Sequence, residues 1–184
     1  MRRIIGVAAF ATVALTAAAW RWTGATTSQE RIERGKYLVN AVACHDCHTP
    51  KKMGAAGPEL DTARLLSGHP EGSALTDAPA TAGPWIATAS SDFTAWSGPW
   101  GVSYAANLTP DRNTGLGIWT EGMFVSAIRT GRHMGVSRPI LPPMPWPAFR
   151  NLTDDDLKAI FAYLRSLPAV HNRVPDPVIH DTEH

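Results

Sequence analysis

The sequence predicts a mainly α-helical domain of short helices joined by long connections. Three observations predict it. Behind Thr153, the residues Leu157, Ile160, Phe161, Leu164 and Leu167 recur at helical spacing until Pro168 ends the run. A second such stretch begins at Thr120, carries Phe124, Ala127 and Ile128 on one side, and stops at Gly131. Between Thr49 and about Asn107, glycine and proline recur so often that no helix can run; the chain holds 15 of each in 184 residues.

In chain order, residues 1–25 are read first as a targeting or anchoring segment. Arg2 and Arg3 precede an uncharged, apolar stretch from Ile4 to Trp20. That layout fits a secretory signal peptide, with small residues at Ala17–Ala19 or Thr23–Ala25 for cleavage, and it also fits an N-terminal membrane anchor. Either reading puts the rest of the chain outside the cytoplasmic membrane, in the periplasm or on the periplasmic face. Residues 28–170 form the domain. Thr27 or Ser28 caps a first helix through Val39, whose apolar side is read as Ile32, Tyr37, Leu38 and Val42, with Gly35 inside it. Such a glycine costs about 1 kcal/mol relative to alanine, and close approach of another helix would be a reason to accept it.

The long middle segment offers at most a turn of helix at Arg64–Leu66. Its rings, Trp85, Phe93, Trp96, Trp100 and Tyr104, are expected to pin it to the body by burial. Thr153 with Asp156 three residues later comes close to a capping box for the last helix, and three consecutive acids suit its positive end. Residues 171–184 form an extended C-terminal tail over the surface.

Composition excludes several functions. Two cysteines supply neither a disulfide-rich scaffold nor a four-cysteine metal site. With 17 Lys and Arg against 16 Asp and Glu, the net charge is +1, and no concentrated basic surface invites nucleic acid.

Both cysteines lie in Cys44-His45-Asp46-Cys47-His48. Cys-x-x-Cys-His is the attachment motif of c-type haem. Positions i, i+3 and i+4 of a helical turn share one side, so both thiols can reach one porphyrin's vinyl groups while His48 falls beneath the iron. A thioredoxin-like pair would want a strand–helix–strand context, which is absent from the pattern. A zinc site would want further paired ligands, whereas His69, His133, His171 and His180 are scattered singly and read as surface residues. The second axial ligand is sought among Met53, Met123, Met134 and Met144. Met53 is too near His48 to reach the other haem face, Met123 reads as core, and Met134 sits in a glycine-flanked stretch. Met144 lies in Leu141-Pro142-Pro143-Met144-Pro145-Trp146-Pro147, where prolines stiffen the backbone around a soft thioether, and it is the expected ligand.

These segments together resemble monohaem class I-type cytochromes c, particularly the cytochrome subunits of periplasmic and membrane-bound dehydrogenases. The resemblance runs through Arg34–Leu38, Cys44–His48, Ala106–Asp111, Thr114–Thr120, Arg129–His133, Pro142–Trp146, Leu152–Leu157 and Tyr163–Pro168. It implies a cytochrome c-like fold of short helices around one covalent haem c, with a long irregular loop insertion. It further implies that the first and last helices cross near Gly35, with Tyr37 meeting the last helix. Gly57-Pro58 resembles the loop whose proline carbonyl receives the His48 ring N–H, with Pro50 as competitor.

The function expected is electron transfer rather than catalysis. Cys44 and Cys47 would hold the haem and His48 and Met144 its iron. Electrons would pass from a dehydrogenase to a cytochrome or oxidase of the respiratory chain, with membrane association possible through the N-terminal segment. The rival is a haem protein with an open sixth position, acting as gas sensor or peroxidase.

Overall fold

The computed structural model describes residues 27–73, 75 and 83–179. The segment expected to be a signal peptide or anchor lies outside the described residues, as do residues 180–184 of the expected tail, His180 among them. No helix among the described residues is long and apolar enough to cross a membrane.

Among the described residues, five α-helices and six short strands make a mixed architecture, which amends the mainly α expectation. The helices are α1 (Ser28–Ala41), α2 (Cys44–His48), α3 (Glu121–Thr130), α4 (Trp146–Phe149) and α5 (Asp154–Ser166). Their ends follow the caps legible in the sequence. Thr27 and Glu30 form a complete capping box on α1, Thr120 accepts from the Met123 amide, Gly131 closes α3 at φ +67°, and Thr153 accepts from the Asp156 amide.

Helices α1 and α5 cross at Gly35. A Cβ there would lie 1.9 Å from the Ala159 carbonyl oxygen and 2.8 Å from Tyr163 Cβ, so only glycine allows the approach. The buried residues of α1 are therefore Gly35, Leu38 and Val39. Tyr37 is not buried against α5 as expected: it is 63% exposed, with the Arg34 guanidinium 5.5 Å from its ring centre. The crossing fixes the helix's rotation, and position 37 falls outside the stripe that positions 35, 38 and 39 define. From α5, Leu157, Ile160, Phe161 and Leu164 complete the core with Phe124 and Ile128 of α3 and with Leu66 and Leu116.

The middle segment is not featureless. Strands β1 (Lys51–Gly54) and β2 (Gly57–Leu60) form a hairpin. Strands β3 (Thr88–Ala89), β4 (Ala95–Gly98), β5 (Gly101–Tyr104) and β6 (Val178–Ile179) form an antiparallel sheet in that order. Two to four residues are too few for an alternating pattern to rise above the turn residues around it. The single helical turn stands at Thr62–Arg64 rather than Arg64–Leu66. The aromatic rings divide. Trp96, Trp100 and Tyr104 are half-buried, while Trp85 is 74% exposed and Phe93 is exposed as well.

Candidate functional site

Helix α2 carries Cys44, Cys47 and His48 at positions i, i+3 and i+4, on one side of a single turn, after Ala43 has turned the chain in the left-handed region at φ 59°. Both cysteines are free and half-buried, and Cys44 packs against the hydrophobic core. Burial pushes the Cys44 thiol up to about 11, aided by Cys47 and Asp46 and opposed by its own backbone amide. Burial also raises Cys47, against the pull of Lys51. At neutral pH these are protonated thiols in an apolar setting, not the activated thiolate of a redox pair.

His48 is buried, and its Nδ1 lies 2.8 Å from the Ala106 carbonyl oxygen. A carbonyl only accepts, so Nδ1 carries the proton and Nε2 keeps its lone pair. Burial pushes the imidazole below its usual range, against the Ala106 hydrogen bond that favours the charged form, so the ring is neutral. This corrects the expectation that the carbonyl of Pro58, or of Pro50, backs the ring. Pro58 is engaged instead in the β1–β2 hairpin, opposite Met53.

The Ala106 carbonyl is held by three converging segments. Residues 66–69 run beside it: the Gly68 amide donates to the His48 carbonyl at 2.8 Å, the His69 amide to Ala105 at 2.9 Å, and the Leu108 amide to Leu66 at 2.8 Å. Gly68 has φ +80°, and a Cβ there would lie 2.4 Å from the Ala105 oxygen and 2.7 Å from that of Ala106. Asn107 folds its side chain back, accepting from the Thr109 amide and hydroxyl and donating to Val170 at 2.8 Å. Asn172 closes the set from the C-terminal segment, which is extended but puts this side chain in the interior, 7% exposed. At the end of α2, Thr49 is buried and its hydroxyl accepts from the Leu66 amide.

His69 is not a surface residue as expected; it is 1% exposed. Its Nδ1 meets the Thr94 hydroxyl at 2.8 Å, its Nε2 the Ser73 carbonyl at 2.9 Å, and its ring packs on Tyr104 with centres 4.8 Å apart. His133 is half-buried, edge-on to Trp119 at 5.0 Å, while His171 stays exposed beside Asp111. A histidine's burial depends on which acceptors the fold brings to its two nitrogens, and the partners of His69 include Thr94, 25 residues away.

Among the methionines, Met144 packs against the same core as Cys44, half-buried. Met53 is 76% exposed on the β1–β2 hairpin. Met123 and Met134 are half-buried, Met134 at φ 54°. The Met144 loop is tied to the sheet by the Ser103 hydroxyl, which donates to the Pro142 carbonyl at 2.6 Å. Trp146 closes on Gly131, whose missing Cβ would strike the indole at 2.3 Å. Thus Ser103 in β5 braces the Met144 loop, and Ala106, three residues on, backs His48. Sequence reasoning missed both Ser103 and Ala106. Among the described residues, no group of three or more His, Cys, Asp or Glu side chains could by itself hold a metal ion.

No protein-family model matches the chain. The chain is similar to cytochrome subunits of dehydrogenases. It is 29% identical over 149 residues to the cytochrome c subunit of the quinone alcohol dehydrogenase of Gluconobacter oxydans, covering 79% of this chain and 24% of that one. It is 30% identical over 142 residues to the fructose dehydrogenase cytochrome subunit of Gluconobacter japonicus, covering 77% and 22%. A subunit of the nicotinate dehydrogenase of Pseudomonas putida is 29% identical over 150 residues, 80% of this chain and 10% of that one. The chain therefore spans about a tenth to a quarter of the length of these curated relatives. The two Gluconobacter relatives are named as the cytochrome subunits of their dehydrogenases.

Proposed function

We propose that the chain is a single-haem electron-transfer module that serves a dehydrogenase. The observation that carries the reading is the placement of His48: a buried imidazole with Nδ1 2.8 Å from the Ala106 carbonyl oxygen, which leaves Nε2 for a ligand bond, on the same helical turn as Cys44 and Cys47. An imidazole oriented through its other nitrogen in this way is the usual form of a metal-ligating histidine.

The residues fit a c-type haem. Cys44 and Cys47 would form the two thioether links, and His48 and Met144 would take the axial positions. One imidazole and one thioether leave four equatorial positions, which suits a metal that arrives inside a macrocycle. Covalent haem would supply a one-electron ferrous–ferric couple, and thioether ligation raises its potential. The chain's own residues bind and orient. Ala106 fixes the imidazole plane and adds basicity to the ligand. Leu38, Val39, Leu66 and Leu164 keep water from the interior beside Cys44.

The dehydrogenase relatives support a dehydrogenase as electron donor. A cytochrome or oxidase would be the acceptor, and Arg2 and Arg3 before the apolar run Ile4 to Trp20 favour the periplasmic side of the membrane as the location. Docking of such carriers is usually weak and small in area. The test is haem staining after denaturing electrophoresis of protein from a host that matures c-type cytochromes. Stain that survives denaturation is expected; its loss in the Cys44→Ser, Cys47→Ser double variant, compared at equal amounts of chain on the gel, assigns the links. A colourless, iron-free wild type would end the proposal.

A further inference from the structure

We infer that Asn172, far along the chain in the C-terminal segment, is a positioning residue for the His48 imidazole. The inference rests on the haem reading above. Asn172 has a single orientation that satisfies its amide. Its Nδ2 donates to the Ser67 carbonyl at 2.7 Å and to the His69 carbonyl at 2.8 Å, and its Oδ1 accepts from the Glu71 amide at 2.7 Å. A flipped amide would set oxygen against two carbonyls. The two carbonyls it grips flank Gly68, and Gly68 is the residue pressed against Ala105 and Ala106. Asn172 also ties itself to the far side of the same unit. Its backbone amide donates to Thr114 Oγ1 at 3.1 Å, and its carbonyl accepts from Asn107 Nδ2 at 3.4 Å. The residues on both sides of the Ala106 carbonyl are therefore clamped by one buried side chain and its backbone.

The consequence is electronic as well as mechanical. A firm Nδ1–H···O=C bond gives the imidazole partial anionic character, which favours ferric iron and holds the potential down. Loosening the clamp lets the carbonyl tilt, weakens that bond and raises the potential. A residue that contributes stability alone leaves the potential where it was.

The experiment uses the haem-loaded full chain. Asn172→Asp keeps size and shape but replaces the two N–H donors with an anion facing two carbonyls; Asn172→Ala removes the grip without repulsion; Asn172→Ser is the mildest change. Haem content and midpoint potential are measured, together with hydrogen exchange of the His48 ring N–H by NMR. Thr27→Ala, which removes the α1 cap, is the control for general destabilisation: its side chain bonds to Glu30 and not to the segments around Ala106. The expected result is unchanged haem per chain, a potential raised in Ser and further in Ala, and ring N–H exchange faster by about tenfold in Ala, the scale of one lost hydrogen bond; in Asp, whose added charge by itself pulls the potential down, faster ring N–H exchange is the readout. Where Asp or Ala does not accumulate, Ser decides. Variants that lose stability like Thr27→Ala while keeping wild-type potential and exchange overturn the inference. A wild type without covalent haem is a different failure, that of the haem reading itself, and is seen before any variant is made.

Discussion

The two loops that approach the proposed iron ligands are held by different means. On the His48 side, backbone and side-chain hydrogen bonds converge from residues 66–69, 105–109 and 170–172, and the polar groups involved are buried: Thr49, Ser67, Asn107, Thr109 and Asn172 are each under a tenth exposed. On the Met144 side, Pro142, Pro143, Pro145 and Pro147 have no amide to give, and the loop is stiff because its φ angles are fixed by rings. Its ties to the rest of the molecule are few, chiefly Ser103 to Pro142 and the Ile140 amide to Gly131. A saturated network resists tilting of a ring whose orientation sets ligand strength. A thioether needs less angular control, so a loop of low conformational entropy suffices.

The most severe way to break the comparison is to remove what both sides would hold. Cys44→Ser with Cys47→Ser should leave little folded protein; a cooperative, native-like melt from the haem-free double variant would refute haem as part of the core. Next, Met144→Ala should open the iron to cyanide or carbon monoxide at unchanged haem content and abolish the ferric sulfur-to-iron absorption band. A low-spin product with wild-type potential would show that another methionine is the ligand, and a wild type already open to such ligands would favour the gas-sensing or peroxidase rival.

Smaller changes compare the two supports directly. Gly68→Ala meets a left-handed φ and two carbonyls, and should cost about 3 kcal/mol. Ser103→Ala removes one hydroxyl donor from the Met144 loop and should cost about 1 kcal/mol. Chemical denaturation checks both; equal costs would show that the sides are held alike.

Acid should give the smallest effect, and it should act on the His48 side first. Burial works against the Asp92 carboxylate, but hydrogen bonds from Ser90 and Thr94 outweigh it and hold it below the usual range. The Thr114 hydroxyl, with the Thr114 and Asn113 amides, holds Asp111 low as well. Asp92 organises Thr94, which meets His69; Asp111 organises Thr114, which receives the Asn172 amide. A carboxyl depressed in the folded state adds stability above its unfolded value of about 4, and loses it as pH falls. No carboxylate occurs in Pro139–Pro147. After correction for intrinsic rates, amide exchange at Gly68 and Leu108 should therefore accelerate below that pH before exchange at Ile140 does. The reverse order would count against the assignment.

The sequence alone determined the parts whose information is local. The cap at Thr153, the start at Thr120, the apolar spacing along α5 and the closely spaced Cys44–His48 run are properties of neighbouring side chains, and each stands where the pattern put it; of Thr27 and Ser28, Thr27 is the cap of α1. The glycine at position 35 left room for another helix, and the resemblance pointed to the last helix as that neighbour. Only the tertiary structure decided that Ala106 backs His48, that Tyr37 turns outward and that His69 and Asn172 are interior. A backbone carbonyl is the same group at every position, so nothing in the letters distinguishes Ala106 from Pro50 or Pro58 as an acceptor. The choice is made by which segment folds against the imidazole 58 residues away, and that is a property of the packed chain.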